Sequence, residues 1–194
     1  MAEQTVEFSS AAGMATGFLA RPDSAGTRPG VVVIQEWWGI NNHIKDVTRR
    51  FAEQGYVALA PDLYHGKIAL EPSDAQKAAM AMDRPRAVKE IDGAVSYLKA
   101  QPDVAPKGIA VVGFCMGGGL ALEIGSHNPD VAAVAAFYGG GSPDASAFAK
   151  SKAAILNICG QLDTGVTATI QKLDEGLKQY AMPHELIIYP EAQH

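Results

Sequence analysis

Only two of the 194 residues are cysteine, Cys115 and Cys159. Two cysteines make no disulfide framework, so a small secreted domain held by cross-links is excluded. No apolar run approaches the ~18 residues that a membrane-spanning helix requires. The start, MAEQTVEFSS, has neither the basic residues nor the apolar stretch of an export signal. The expectation is a cytoplasmic chain with both thiols reduced and no membrane partner. Clusters of positive charge are missing too. The 16 Lys and Arg are scattered among 21 Asp and Glu, for a formal net charge of −5. A weakly acidic chain offers no footprint for nucleic acid. The five histidines, at 43, 65, 127, 184 and 194, form no H-x-x-x-H pair, and there is no C-x-x-C. A zinc site is therefore not expected. Internal repeats, low-complexity tracts and linkers are absent as well. With 47% hydrophobic residues, the expectation is a single α/β domain over residues 1–194.

What the chain does have is alternation. VEFSS and ATGFLARP, parted by AAGM, read as an N-terminal antiparallel hairpin. PGVVVIQE, YVALAPDLY, GIAVVGF, VAAVAAFY, AAILNIC and ELIIYP follow. Their near-continuous apolar cores suit parallel strands buried on both faces. Helical patterns fit between them. Ile44, Val47 and Phe51 make one stripe, closed by Gly55 in a capping position. Val88, Ile91, Val95 and Leu98 make a second, ended by Pro102. Residues 116–126 and 166–180 read as further helices, and 65–83 as a loop with a short helix. Strands alternating with helices imply a mostly parallel sheet.

The stretch GFCMGGG, residues 113–119, sits where an apolar strand must turn into a helix. Gly113, Cys115 and Gly117 have the G-x-C-x-G spacing of a nucleophile elbow. There the glycines give clearance to a strained turn that lifts the nucleophile into the crevice at the strand ends. A helix starting at Met116 would aim its positive end at the sulfur and favour thiolate. The plainer reading is a glycine-rich turn with an inert thiol. A phosphate cradle fits less well, because position 122 is Leu and no Lys-Ser or Lys-Thr follows.

A cysteine nucleophile needs a base, and the base an orienting acid. Asp163 follows the AAILNIC strand, and His194 follows ELIIYP. Nucleophile, acid and base would then come from strand ends on one edge, in the chain order of hydrolases of this fold. Alone, a post-strand Asp is more often a turn former. His184, at the start of a strand, reads as a surface residue. QEWWG, residues 35–39, also ends a strand. Its loop and the residue after the nucleophile can supply oxyanion-binding N–H groups, here Trp37 and Met116. Glu36 could take the thiol proton. It could equally be salt-bridged, with the two indoles capping the core.

GFCMGG, QEWWGIN, QGYVALAPDLY, CGQLD and YPEAQH, in this order over nearly the whole chain, resemble the dienelactone hydrolase family. The resemblance implies the α/β-hydrolase fold: a mostly parallel sheet with helices on both faces, a three-layer sandwich, and a small N-terminal antiparallel hairpin. It implies Cys115 as nucleophile, Asp163 as acid, His194 as base and Glu36 as the acidic partner of the thiol. It implies hydrolysis of a lactone or ester through a thioester acyl-enzyme, with no cofactor and no metal. The best specific substrate is 4-carboxymethylenebut-2-en-4-olide, giving maleylacetate. The alternatives are a broader carboxylesterase, or a non-catalytic binding protein that keeps the elbow. Substrate contacts are expected from Trp38, Tyr64, Arg84, Arg86 and Tyr138, in a monomer or weak homodimer. Two departures stand out. EPSDAQKAAMAM lacks the arginines that dienelactone-specific members carry there, Arg84 and Arg86 being the nearest. The chain also stops at His194, so a C-terminal closing helix is expected to be missing and a terminal base is expected to fray.

Overall fold

The computed structural model describes residues 1–23, 25–180 and 182–194. The chain divides into two compact units, Met1–Ile109 and Ala110–His194.

In the first unit, β1 (Ala2–Ser10) and β2 (Gly13–Arg21) form the hairpin. Both strands are longer than the sequence motif implies. Ser10 pairs with Gly13, so the loop is only Ala11–Ala12, and Gly13 takes a left-handed φ of 109° that a tight hairpin demands. β2 runs antiparallel to β4 (Val57–Pro61), and β4 runs parallel to β3 (Gly30–Ile34). The strand order is β1-β2-β4-β3. Every residue of β3 and β4 is buried, as continuous apolar runs require. Helix α1 (Asn42–Glu53) is capped by the Asn41 side chain, which accepts the Ile44 N–H. Gly55, at φ 93°, closes it as expected. Helix α2 (Pro72–Ala81) buries only Ala75. Helix α3 (Arg84–Ala100) carries the second apolar stripe.

Strand alternation places α1 and α3 on opposite faces. Lys45 and Arg49 of α1 lie over the Phe18 ring, at 5.7 and 5.1 Å from its centroid. Tyr97 of α3 packs on Phe8, centroids 5.7 Å apart. Phe8 pairs with Ala15, and Ala15 and Phe18, three residues apart on β2, point to opposite sides.

In the second unit, β5 (Ile109–Phe114) begins at the boundary and leads into α4 (Met116–His127). The strands β6 (Val131–Phe137), β7 (Ala154–Gly160) and β8 (His184–Tyr189) follow in that order. β6–β7 and β7–β8 are parallel. Helix α5 (Thr164–Leu177) connects β7 to β8 and ends in a 3-10 turn, Lys178–Tyr180. Antiparallel pairing is thus confined to the N-terminal hairpin and its neighbour among the described pairings, and the eight strands are mostly parallel.

Candidate active site

β5 ends at Phe114 and α4 begins at Met116, so a single residue makes the turn. Cys115 does this at φ 54°, ψ −118°. A non-glycine residue in such a conformation costs about 1–3 kcal/mol and persists only where its surroundings enforce it. The enforcement is backbone. The Cys115 N–H donates to the Phe137 carbonyl at 3.0 Å, and the Cys115 carbonyl accepts the Gly118 N–H at 3.0 Å. Clearance comes from more glycines than the motif names. A Cβ on Gly113 would run into the Gly117 carbonyl. One on Gly118 would stand 2.7 Å from Gly139 Cα and 2.8 Å from the Phe137 oxygen, and one on Gly119 would meet the Gly140 carbonyl. Glycines 118 and 119 are therefore packed against backbone, and their N–H groups donate to the Cys115 carbonyl at 3.0 and 3.4 Å. Cys115 is half-buried, Cys159 is buried, and neither is in a disulfide.

Asp163 and His194 are brought together. Asp163 occupies the N-cap position of α5, yet its side chain makes no cap hydrogen bond. Instead its Oδ2 accepts from His194 Nδ1–H at 2.5 Å. A carboxylate at a helix start normally serves the helix. Here the helix forgoes it and the imidazole has it, with Nε2 as the other ring nitrogen. His194 is also tied through its neighbours. The Leu162 N–H donates to the Ala192 carbonyl at 2.8 Å, and the Gln161 N–H to the Tyr189 carbonyl at 2.9 Å. Gly160 admits this segment, since a Cβ there would be 2.5 Å from the Ala192 oxygen.

Tyr138 is half-buried at the end of β6, with φ 40°. Its ring lies on the His194 imidazole, centroids 4.9 Å apart at 60°. Phe114, the residue before Cys115, stacks on Phe137 at 5.0 Å and approaches Tyr138 at 6.4 Å. An aromatic chain therefore joins the elbow to the imidazole. Tyr138 is expected from the sequence as a substrate contact, whereas Phe114 and Phe137 are not among the expected site residues. The glycine run 139–141 directly after β6 was the available signal of a special turn. His184 opens β8 as expected, but it is half-buried, with Nδ1 bonded to the Met182 carbonyl.

The other expected site residues lie in the first unit. Glu36, Trp37 and Trp38 are half-buried in the turn after β3, with the two indoles edge to face at 5.4 Å. Tyr64 and Arg86 line one cavity of about 250 Å³, with Leu63, Met82, Ala87 and Glu90 among its other walls. Arg84 and Trp38 are not among its lining residues. Arg86 Nε donates to Glu90 Oε1 at 2.8 Å. Among the described residues, no group of three or more His, Cys, Asp or Glu could hold a metal ion. No helix of the described residues is long and apolar enough to cross a membrane.

The dienelactone hydrolase family model matches residues 15–194. A protein of Synechocystis sp., provisionally named a carboxymethylenebutenolidase, is 31% identical over 196 residues, covering 92% of this chain and 79% of that protein. A crystal structure from Klebsiella pneumoniae, provisionally described as a dienelactone hydrolase, superposes with a TM-score of 0.84 at 28% identity, covering 100% of this chain and 88% of the other. A dienelactone hydrolase-like promiscuous phosphotriesterase from metagenomic libraries superposes with a TM-score of 0.86 at 26% identity, over 100% of this chain and 84% of the other.

Proposed function

The chain belongs to the dienelactone hydrolase family, hydrolases that act on esters and lactones, and on that premise we propose that it cleaves a lactone or ester through a thioester on Cys115. The observation that carries this reading is the backbone of Cys115, a half-buried thiol held at φ 54° on a one-residue turn between strand and helix. A nucleophile must stand clear of its own backbone, and a one-residue turn of this kind lets it do so.

In this reading Glu36 takes the thiol proton as the sulfur attacks the substrate carbonyl. The C–S bond forms, and the oxyanion is held by the N–H groups of Met116 and Trp37. On collapse the acyl C–O bond breaks, and the leaving oxygen takes the proton from Glu36. A water then attacks the thioester while His194 Nε2 accepts its proton. Asp163 keeps the Nδ1 proton in place and stabilises the imidazolium. The second collapse expels the sulfur, and the imidazolium proton restores the thiol. Trp38, Tyr64, Arg84, Arg86 and Tyr138 are the candidates for substrate contact, with the dienelactone 4-carboxymethylenebut-2-en-4-olide as the specific proposal.

One observation favours a second reading of the substrate. The Arg86 guanidinium is engaged by Glu90, so its charge is already met by a protein carboxylate rather than awaiting a substrate carboxylate. A carboxylesterase of wider scope, acting on uncharged esters, fits that pairing. Cys115→Ala is expected to abolish turnover of p-nitrophenyl acetate, and unchanged turnover would defeat the proposal. Comparing dienelactone with neutral esters then separates the two substrate readings.

A further inference from the structure

Glu90 lies on the buried face of α3, its side chain only 2% exposed. A carboxylate so placed must be paired, because leaving it uncompensated in the interior is costly. Arg86, one turn earlier on the same helix, already does this through Nε at 2.8 Å. Yet His65 Nε2 also stands 3.0 and 3.2 Å from the two Glu90 oxygens. It reaches them from another segment, and from a left-handed backbone at φ 52°, where His is among the few side chains found with any frequency. The His65 contact therefore serves as an anchor for its own loop as much as a second hydrogen-bond partner for Glu90.

That loop, residues 62–69, follows β4 and closes on itself. The Asp62 carboxylate accepts the Gly66 N–H at 2.6 Å and the Tyr64 N–H at 3.2 Å. Its outer side grips the turn after β3. The Ala69 N–H donates to the Trp38 carbonyl at 3.0 Å. The Leu63 N–H donates to Gln35 Oε1 at 3.3 Å, and fully buried Gln35 in turn donates Nε2–H to the Glu36 carbonyl at 3.3 Å. Gly39, at φ 88°, lies so near the Lys67 carbonyl that a Cβ would stand 2.5 Å from it. From Glu90 to Trp38, every step is a hydrogen bond or a backbone contact within the first unit.

We infer that His65 and Glu90 are positioning residues. The carboxylate anchored in α3 grips His65, so that loop 62–69 holds the Glu36–Trp37–Trp38 turn in the shape that serves the reacting ester. This rests on the hydrolase reading above, which gives that turn its role. The clamp acts through the loop and touches no reacting atom.

Trp37 and Trp38 are the only tryptophans of the chain, so tryptophan emission, selectively excited, reports on this turn alone. His65→Asn keeps a residue tolerant of left-handed φ, but its short amide cannot reach Glu90. His65→Gln restores both the reach and an N–H donor. His65 is 44% exposed, so neither change disturbs the core. His65→Asn is expected to alter tryptophan emission and acrylamide quenching and to lower kcat on p-nitrophenyl acetate about tenfold. That lies within the ~100-fold that a 1 Å misplacement can cost. KM should stay within about twofold, and His65→Gln should return both readouts to near the wild type. Unchanged emission and kcat in His65→Asn would overturn the inference. So would equal losses in the Asn and Gln variants, or a rise in KM with kcat intact. A wild-type protein with no esterase turnover would defeat the hydrolase reading, while the emission comparison would still decide whether the clamp holds the turn.

Discussion

Asp163→Asn separates orientation of the imidazole from every other job that Asp163 could have. The substitution keeps volume and removes charge. In the wild type, His194 Nδ1–H donates to a carboxylate oxygen at 2.5 Å. A hydrogen bond to a charged group is worth about 1.5–3 kcal/mol. If that stabilisation grows in as the imidazole becomes imidazolium, its loss slows the step about 10- to 150-fold, at about 1.4 kcal/mol per decade. The Asn amide can also donate to Nδ1, which would move the ring proton to Nε2 and remove the base outright. The damage falls on deacylation, since the thiol proton is assigned to Glu36. Rapid-quench mass spectrometry with p-nitrophenyl acetate should then find acetylated Cys115 accumulating after a normal burst. The Asp163 side chain makes no helix-cap bond to lose, so any loss of stability should be limited to the single bond to His194. Steady-state turnover within twofold of wild type, or a slow variant with no thioester, would refute the assignment of His194 and Asp163 to deacylation. A large fall in melting temperature would show instead that the carboxylate serves the fold.

Two further outcomes follow from the same geometry. Glycine at position 115 is expected to be about 1 kcal/mol more stable than alanine there, the reverse of the usual order, because only glycine sits at φ 54° without strain; urea denaturation of Cys115→Gly and Cys115→Ala measures the difference, and the usual order would deny the strain. Tyr138→Ala should lower kcat about two- to tenfold through loss of the ring contact with His194, an aromatic pair being worth about 0.5–1.5 kcal/mol, whereas Tyr138→Phe should keep it; an equal loss in both variants would assign the effect to the hydroxyl.

The elbow was legible because its signals are local. Glycines flank a cysteine between an apolar run and a helical pattern, and no distant residue is needed to notice that. Asp163 and His194 were legible by position, each lying just past an apolar strand. Their hydrogen bond was not, because it depends on the chain folding back so that the Leu162 N–H meets the Ala192 carbonyl. Tyr138 illustrates a different limit. Its φ of 40° sits between backbone bonds to Cys115 and to Ile158, both distant in sequence. The clamp was hidden inside a helix. Glu90 shares the buried face of α3 with Ala87, Ile91 and Ala94, at helical spacing. A charge on an apolar stripe announces a buried partner, but the partner, His65, lies in a polar stretch with no periodicity to mark it.

The end of β6 ties the parts of the second unit together. Phe137 turns its carbonyl to the Cys115 N–H, while the next residue, Tyr138, turns its N–H to the Ile158 carbonyl at 2.6 Å. Successive groups thus reach the strands on either side, as a central strand must. Were the chain to continue extended, residue 138 would carry on along the sheet. The left-handed φ of Tyr138 breaks the strand there and lays the ring on His194. The glycines that follow can then pass close to Gly118 and Gly119 of α4. Residues 137–140 therefore hold the Cys115 backbone, buttress the imidazole and let α4 approach. Strain at Cys115 and strain at Tyr138 are then two ends of one arrangement. A substitution that relaxes Tyr138 should disturb the Cys115 thiol as well as the His194 imidazole, and measuring the alkylation rate of Cys115 in Tyr138→Gly tests that coupling directly.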